Sequence, residues 1–290
     1  MSDASLTNAA FGPYTLRELI SAGGIAEVYR AEHNEDRKSV AVKVMRSEKQ
    51  ADKYHRSCFD DEYALLQQFK HPSLPAARRQ GEIKGRACFA MDYFSGQPMH
   101  KIIRMDQQWE RVKAYHELVQ VVAYVHNNRV VHADLKLENV ILRPTGNVAL
   151  VDFGNARKQE EKGFFAKLFG AKKDRVFGTP TYFAPELLKG QQPSYASDVY
   201  ALGVCAFIMF SGEPPFDASS RTGRLKANLT SIAPSIRSRC TELPSTAADA
   251  IDRCLDKDPK ERPGDADSLL HLIKDLVNVA GETTRIPRKK

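Results

Sequence analysis

Residues 130–154, VVHADLKLENVILRPTGNVALVDFG, contain three short apolar runs separated by polar residues. The runs at 130–131, 140–142 and 148–151 are typical of buried strands. Pro144-Thr-Gly-Asn147 favours a turn between the last two runs. The pattern therefore predicts a β-hairpin, which would bring Asn139 and Asp152, at its two ends, close together.

The polar residues of this stretch suit metal and proton chemistry. A carboxamide and a carboxylate, here Asn139 and Asp152, can hold a hard cation such as Mg²⁺, which prefers oxygen ligands. Asp134 lies five residues before Asn139 and is left to accept a proton. Each of these residues alone would be interpreted as an ordinary turn residue, because Asp and Asn are common in loops. Their combination favours a functional site.

The segment His132-Ala-Asp-Leu-Lys-Leu-Glu-Asn139 resembles the H-R-D-x-K-x-x-N catalytic loop of the eukaryotic-type protein kinases. Asp152-Phe-Gly resembles their D-F-G turn. The resemblance implies ATP as cofactor, Asp134 as catalytic base, and Lys136 in contact with the transferring γ-phosphate. It also implies that Asn139 and Asp152 bind Mg²⁺, or Mn²⁺ in its place. The sequence departs from the family at Ala133, where an Arg usually stands.

Strand-like segments beginning at Tyr14 surround a glycine-containing turn, residues 21–28, SAGGIAEV. This turn resembles the family's G-x-G-x-x-G-x-V loop, although a glycine pair in a hairpin also fits an ordinary β-turn. Lys43, fifteen residues after the turn, resembles the lysine that holds the α- and β-phosphates; a strand lysine otherwise faces solvent. The resemblance implies these nucleotide-binding residues: Ser21, Gly23, Gly24, Ala26, Val28, Ala41, Lys43, Met91, Asp92, Phe94, Ile141 and Asp152.

An apolar stripe predicts a helix over residues 53–69. In protein kinases this helix offers a glutamate to the strand lysine, which makes Glu62 the candidate partner of Lys43 and a further catalytic residue. Asp60, Asp61 or an unpaired surface role for Glu62 are the alternatives.

A second apolar face predicts a long helix over residues 107–128. Residues 178–186, GTPTYFAPE, resemble the G-T-x-x-Y-x-A-P-E signature of serine/threonine kinases. The resemblance implies that Asp198 anchors the catalytic loop and that Arg262 pairs with Glu186.

The predicted fold class is α+β, as the bilobal protein kinase fold. It would have a small antiparallel-sheet N-lobe with one main helix and a larger, mostly helical C-lobe. The predicted divisions are a flexible lead (1–10), the N-lobe (11–93), the C-lobe (94–280) and a basic tail or linker start (281–290).

Composition excludes several other classes. The hydrophobic fraction of 42% and charged fraction of 27% are ordinary for a globular protein. The net charge of +7 is concentrated in residues 155–177 and 285–290, which argues against nucleic acid as a partner. The five cysteines lack metal-ligand spacing and are expected to be reduced. Without a secretory pattern at the N-terminus, a cytoplasmic protein, or a cytoplasmic portion of one, is expected.

The sequence thus predicts a kinase that phosphorylates Ser or Thr of protein substrates. Ala133 cannot bind phosphate, and residues 155–177 contain no Ser, Thr or Tyr, so activation by phosphorylation of this segment is not expected. In the same segment Phe164, Phe165, Leu168 and Phe169 lie among lysines and favour a short amphipathic helix. This helix would pack on its own domain, or dock on an acidic partner or a membrane surface. A pseudokinase scaffold and a small-molecule phosphotransferase are the rival interpretations.

Overall fold

A computed structural model describes residues 5–102, 108–159, 179–216 and 218–276. The chain divides into two compact units. The first contains residues up to Ser95 together with Val151–Asn155, and the second contains Gly96–Leu150 together with the chain from Ala156. Sheet dominates the first unit and helices dominate the second, so the α+β class predicted from the sequence is confirmed.

The first unit contains a six-stranded antiparallel sheet with strand order β1-β2-β3-β4-β6-β5. Its strands are β1 (Ala10–Phe11), β2 (Tyr14–Ala22), β3 (Ala26–His33), β4 (Ser39–Met45), β5 (Ala77–Ile83) and β6 (Arg86–Asp92). Helix α1 (Lys53–Gln68) begins after Asp52, whose carboxylate accepts the backbone N–H groups of Tyr54 and His55. The helix predicted over residues 53–69 is confirmed.

The two faces of this sheet carry different residues because neighbouring side chains on a strand point to opposite sides. Val40, Val42 and Val44 of β4 pack into a core with residues of the other strands, among them Tyr29 and Leu16. Ala41 and Lys43 therefore occupy the opposite face. The continuous apolar run of β4 is thus explained by burial on one side and a polar site on the other.

Residues 5–11 cover the valine face of the sheet, where the sequence predicts a flexible lead. Leu6 is only 2% exposed and Phe11 only 4% exposed, and both belong to the same core as the β4 valines. The backbone N–H of Asn8 also donates to the Leu16 carbonyl at 2.8 Å. Residues 1–4 of the predicted lead lie outside the described residues, whereas residues 5–10 pack on the sheet. This packing was not predicted, because a single apolar residue, Leu6, in a short polar segment gives no strand or helix period.

The second unit is built around helices α2 (Gln108–Asn127) and α4 (Tyr195–Ser211). The other helices are α3 (Pro185–Leu188), α5 (Arg221–Thr230), α6 (Ser245–Cys254) and α7 (Ala266–Leu272). Short strands complete the unit: β7 (Gln97–Pro98), β8 (Val130–Val131), β9 (Val140–Leu142), β10 (Val148–Leu150) and β11 (Arg157–Lys158). The predicted hairpin is confirmed, with Val148 opposite Leu142 and Leu150 opposite Val140.

Helix α4 forms the centre of the second unit, and most of its side chains are buried. A capping box of Ser194 and Ser197 begins it, and Gly212, with φ 81°, ends it in the left-handed conformation. Within the described ranges, no helix combines the length and the apolar character needed to span a bilayer. All five cysteines are free thiols, as predicted, and four of them are buried.

Candidate active site

The first unit contains a buried ion cluster around Lys43. The Lys43 ammonium donates to both carboxylate oxygens of Glu62 at 2.7 Å and to Oδ1 of Asp152 at 2.9 Å. The side chain of Lys43 is 11% exposed and that of Glu62 is 2% exposed, whereas Asp152 is 46% exposed. The sequence alternatives in which Glu62 is unpaired and Lys43 faces solvent do not hold.

Three elements bring these residues together. Lys43 lies on β4, Glu62 is on the buried side of α1, and Asp152 follows β10. Gly154 makes the close approach practicable, since a Cβ there would lie 3.3 Å from the Lys43 ammonium and 3.4 Å from carboxylate oxygens of Asp152 and Glu62. Asp152 itself has φ 66°, a left-handed conformation that Asp tolerates better than most residues.

The two carboxylates of the cluster stabilise the positive charge of Lys43. Burial alone would lower the pKa of Lys43, but the Asp152 and Glu62 carboxylates outweigh it and raise that pKa well above its ordinary value. Lys43 is therefore a permanent cation. Burial raises the pKa of the Glu62 carboxyl, and the charge and hydrogen bonds of Lys43 oppose this increase. The cluster presents a fixed positive charge beside a partly exposed carboxylate.

Several predicted nucleotide-binding residues share the Lys43 face of the sheet. Val28 on β3 is directly opposite Lys43, and Ala41 is directly opposite Met91 on β6. Because directly opposite residues point to the same side, the register places these four together. Ala26, two residues before Val28, also belongs to this face.

The glycine-containing turn connects β2 to β3. The Gly23 N–H donates to the Ala26 carbonyl at 2.9 Å, and the Arg46 guanidinium donates to the Gly23 carbonyl at 2.7 Å. Ser21 is directly opposite Val28, and Gly24 lies at the exposed tip. The turn is thus fixed at its base by backbone pairing and by Arg46, a residue that the motif does not predict.

The remaining predicted residues of the nucleotide set lie at the end of β6 and in the second unit. The Asp92 N–H donates to the Ala76 carbonyl at 3.1 Å, and Phe94 follows as a half-buried residue. Ile141 is on β9, directly opposite Ala149 and Pro98.

The second unit contains the other group of candidate residues, in the segment after β8. The Lys136 ammonium donates to Oδ2 of Asp134 at 2.7 Å. The carboxamide nitrogen of Asn139 donates to the Asp134 carbonyl at 3.0 Å. This bond fixes the orientation of the amide and leaves its oxygen as the end that can bind a cation. Asp134, Lys136 and Asn139 therefore form one hydrogen-bonded group.

Asp198 on α4 holds the backbone of this segment. Its carboxylate accepts the N–H groups of His132 at 2.7 Å and of Ala133 at 2.9 Å. His126 on α2 contacts the same carboxylate at 3.1 Å, and its other ring nitrogen accepts the Ala266 N–H at 3.1 Å. His126 is thus a supporting residue that sequence reasoning missed, because no local pattern marks it.

A second buried ion pair confirms another predicted contact. The two terminal nitrogens of Arg262 donate to the two carboxylate oxygens of Glu186 at 2.7 and 2.8 Å. Both residues are only 3% exposed. A bidentate pair of this kind fixes the loop before α7 against helix α3.

Most of the basic segment 155–177 lies outside the described residues, which end at 159 before resuming at 179. The amphipathic helix and docking surface predicted there are therefore not described.

A comparison with protein-family models agrees with the geometry of the two groups around Lys43 and Asp134. Residues 14–273 match the family model described as protein kinase domain. The chain belongs to the protein kinase family. This kinase domain has the protein kinase fold, with the antiparallel sheet in its first unit and the helices in its second.

Curated relatives of this chain include bacterial serine/threonine kinases. It is 30% identical over 265 residues to the serine/threonine-protein kinase pkn3 of Myxococcus xanthus, covering 88% of this chain and 48% of the relative. It is 27% identical over 266 residues to the serine/threonine-protein kinase PrkC of Bacillus subtilis, covering 91% and 40% respectively. The chain thus spans about half the length, or less, of these relatives.

Two side chains, one in each compact unit, have donor atoms of the kind that Mg²⁺ prefers. Asn139 offers an amide oxygen and Asp152 a carboxylate, and both are oxygen ligands of the kind that Mg²⁺ prefers. Among the residues that the structure describes, no group of three or more His, Cys, Asp or Glu is arranged to hold a metal.

Proposed function

We propose that this chain is an ATP-dependent serine/threonine protein kinase, which transfers the γ-phosphoryl group to hydroxyl groups of protein substrates. The observation that carries the proposal is the Lys43 cluster, in which the ammonium contacts Glu62 at 2.7 Å and Asp152 at 2.9 Å. A lysine buried between two carboxylates has no structural need to be on a strand of an apolar sheet. The position of Lys43 is explained if its ammonium binds the phosphates of ATP, which require an oriented positive charge.

The residues have separate tasks in this reaction. Lys43, oriented by Glu62, binds the α- and β-phosphates. Asp134 orients the acceptor hydroxyl and takes its proton, and Lys136 balances charge at the γ-phosphoryl group. Positioning and charge provide most of the catalysis, because phosphoryl transfer needs little covalent help from the protein.

Asn139 and Asp152 would hold Mg²⁺, or Mn²⁺ in its place, through their oxygen atoms. When bound, the cation neutralises charge on the β- and γ-phosphate oxygens. The adenine would be bound by the sheet face that carries Val28, Ala41 and Met91, together with the residues after β6.

The kinase is proposed to be active without phosphorylation of residues 155–177. Ala133 has a methyl group where an Arg would bind a phosphate, and that range contains no Ser, Thr or Tyr. The lobe divisions predicted at residues 11–93 and 94–280 are part of the same proposal. A cytoplasmic location and a docking role for the basic segment stay predictions.

A pseudokinase that binds nucleotide without efficient transfer is the second candidate. Ala133 and the substitution of Ser21 and Ala26 for glycines favour it. The Asp134–Lys136 contact at 2.7 Å favours catalysis instead, since a scaffold has no use for a general base and its partner lysine.

Transfer of labelled phosphate separates the two candidates. The protein is incubated with Mg-ATP labelled at the γ-phosphate, alone and with a bacterial lysate, and phosphorylated residues are identified by mass spectrometry. We expect phosphoserine and phosphothreonine that do not appear in the absence of the enzyme. Binding of nucleotide with no transfer to any protein would support the pseudokinase.

A further inference from the structure

Asn228 is the one residue of helix α5 that is fully buried. It is 1% exposed, and its carboxamide nitrogen donates to the Pro180 carbonyl at 2.7 Å. Burying a polar side chain is unfavourable unless its hydrogen bonds are made, and an apolar residue would anchor a surface helix more simply. The bond to Pro180 therefore accounts for the choice of Asn at this position.

The Pro180 carbonyl belongs to a 3₁₀ turn, Pro180–Tyr182. At the other end of this turn, the Tyr182 hydroxyl accepts the Leu137 N–H at 3.4 Å. The Glu138 carboxylate also lies close enough to this hydroxyl to raise its pKa. The turn is thus held from two sides, by α5 through Asn228 and by the segment that follows Lys136 through Tyr182.

The Tyr182 side chain is half-buried, and its hydroxyl stays protonated. Burial raises the pKa of Tyr182 far above its ordinary value, and the neighbouring Cys205 and Glu138 act in the same direction. The phenol therefore keeps its proton throughout the physiological range. Since Leu137 is adjacent to Lys136 in the chain, the turn is linked to the group that contains Asp134.

We propose that Asn228 is a positioning residue for the protein acceptor: it fixes the Pro180–Tyr182 turn so that a substrate hydroxyl is presented to Asp134. This inference rests on the proposed function. Asn228 acts through the turn and not on the nucleotide, whose predicted lysine and glutamate, Lys43 and Glu62, belong to the other compact unit. Its loss should therefore affect the protein acceptor and spare ATP.

Steady-state kinetics with a phosphorylated protein from the transfer experiment as acceptor tests this separation. Asn228→Asp keeps the size of the side chain but places an oxygen against the Pro180 carbonyl. We expect the KM for the acceptor to rise about tenfold, with the KM for ATP within about twofold of wild type. Asn228→Gln keeps an N–H donor and should recover part of the acceptor affinity. Thr222→Ala, at an exposed position of the same helix, is the matched control.

Hydrogen exchange gives an independent measurement. The Tyr182 N–H bonds the Thr179 carbonyl and the Phe183 N–H bonds the Pro180 carbonyl, both at 3.2 Å. We expect both amides to exchange faster in Asn228→Asp than in Thr222→Ala. Where Asn228→Asp does not fold, Asn228→Ser removes the bond without adding charge and takes its place.

The outcomes distinguish this inference from the proposed function. Wild-type enzyme that transfers no phosphate contradicts both. Wild-type transfer with an unchanged acceptor KM in the variants contradicts only the role of Asn228. Equal changes in the KM values for acceptor and ATP also contradict it, because they would indicate a general structural defect.

Discussion

The Asp198 carboxylate accepts the backbone N–H of Ala133 at 2.9 Å, and Ala133 has φ 64°. A left-handed conformation is unfavourable for Ala by about 1–2 kcal/mol, so an outside contact has to hold it. Asp198 supplies this contact and accepts the neighbouring His132 N–H as well. The backbone that carries Asp134 is therefore fixed from α4.

Asp198→Asn should destabilise the fold. The variant keeps the shape of the side chain but replaces one of two buried acceptor oxygens with an NH₂ group, leaving a donor without a partner. We expect a loss of about 2–4 kcal/mol in the free energy of unfolding. Urea denaturation measures it, with Asp249→Asn on the exposed side of α6 as control. A loss as small as that of the control would contradict the anchoring role.

Lys257 gives a prediction about pH. Its ammonium lies 4.1 Å from the centre of the Phe216 ring and has no hydrogen-bond acceptor among the described residues. Burial, with Arg262 nearby, lowers the pKa of Lys257 from 10.5 to about 8. Between these pH values the unfolded chain holds a proton that the folded chain has lost, so the free energy of unfolding rises with pH.

Lys257→Met removes the unfavourable burial of this charged ammonium. We expect the variant to be more stable than wild type by about 1 kcal/mol at pH 7, a figure reduced because Lys257 is only partly buried. This stability difference between Lys257→Met and wild type should shrink when thermal denaturation is repeated at about pH 9.5, because Lys257 is then neutral in the folded wild-type protein. An equal stability difference between variant and wild type at both pH values would show that the buried charge of Lys257 does not destabilise the fold.

The absence of an arginine at position 133 predicts insensitivity to phosphatase. Ala133 offers no charge for a phosphate on the following segment, so initial rates before and after phosphatase treatment should agree within about twofold. Mass spectrometry should confirm that phosphate was removed. A strong loss of rate that maps to Thr179 or Thr181 would overturn this prediction.

Asp152→Asn tests the metal assignment. The variant loses one negative charge and one oxygen ligand, so kcat should fall by about 10²–10⁴ and half-maximal activity should require more Mg²⁺. Circular dichroism should show that the fold is intact. An unchanged turnover in the folded variant would refute the assignment.

Local sequence patterns were sufficient for much of the fold and of the candidate site. The hairpin was predicted from its apolar runs and turn residues alone. The Lys43–Glu62 and Glu186–Arg262 pairs were instead expected from the resemblance of their motifs to those of protein kinases, because no spacing or period in a single sequence pairs them.

Contacts without a local signal could not be predicted. Asn228 meets Pro180 across 48 positions of the chain, and His126 meets Ala266 across 140. Asn and His occur in helices in many different roles, and the residues next to Asn228 and His126 in the sequence do not indicate a partner. The packing of Leu6 on the sheet was missed for the same reason.

Asp134, the proposed proton acceptor, provides the most direct test of the proposed reaction. The rate of labelled phosphate transfer from Mg-ATP to a protein acceptor is measured for wild type, Asp134→Asn and the exposed control Asp36→Asn. We predict that Asp134→Asn lowers kcat by about 10²–10⁴ with the fold intact, and that Asp36→Asn matches wild type. Equal transfer by Asp134→Asn and wild type would contradict the account.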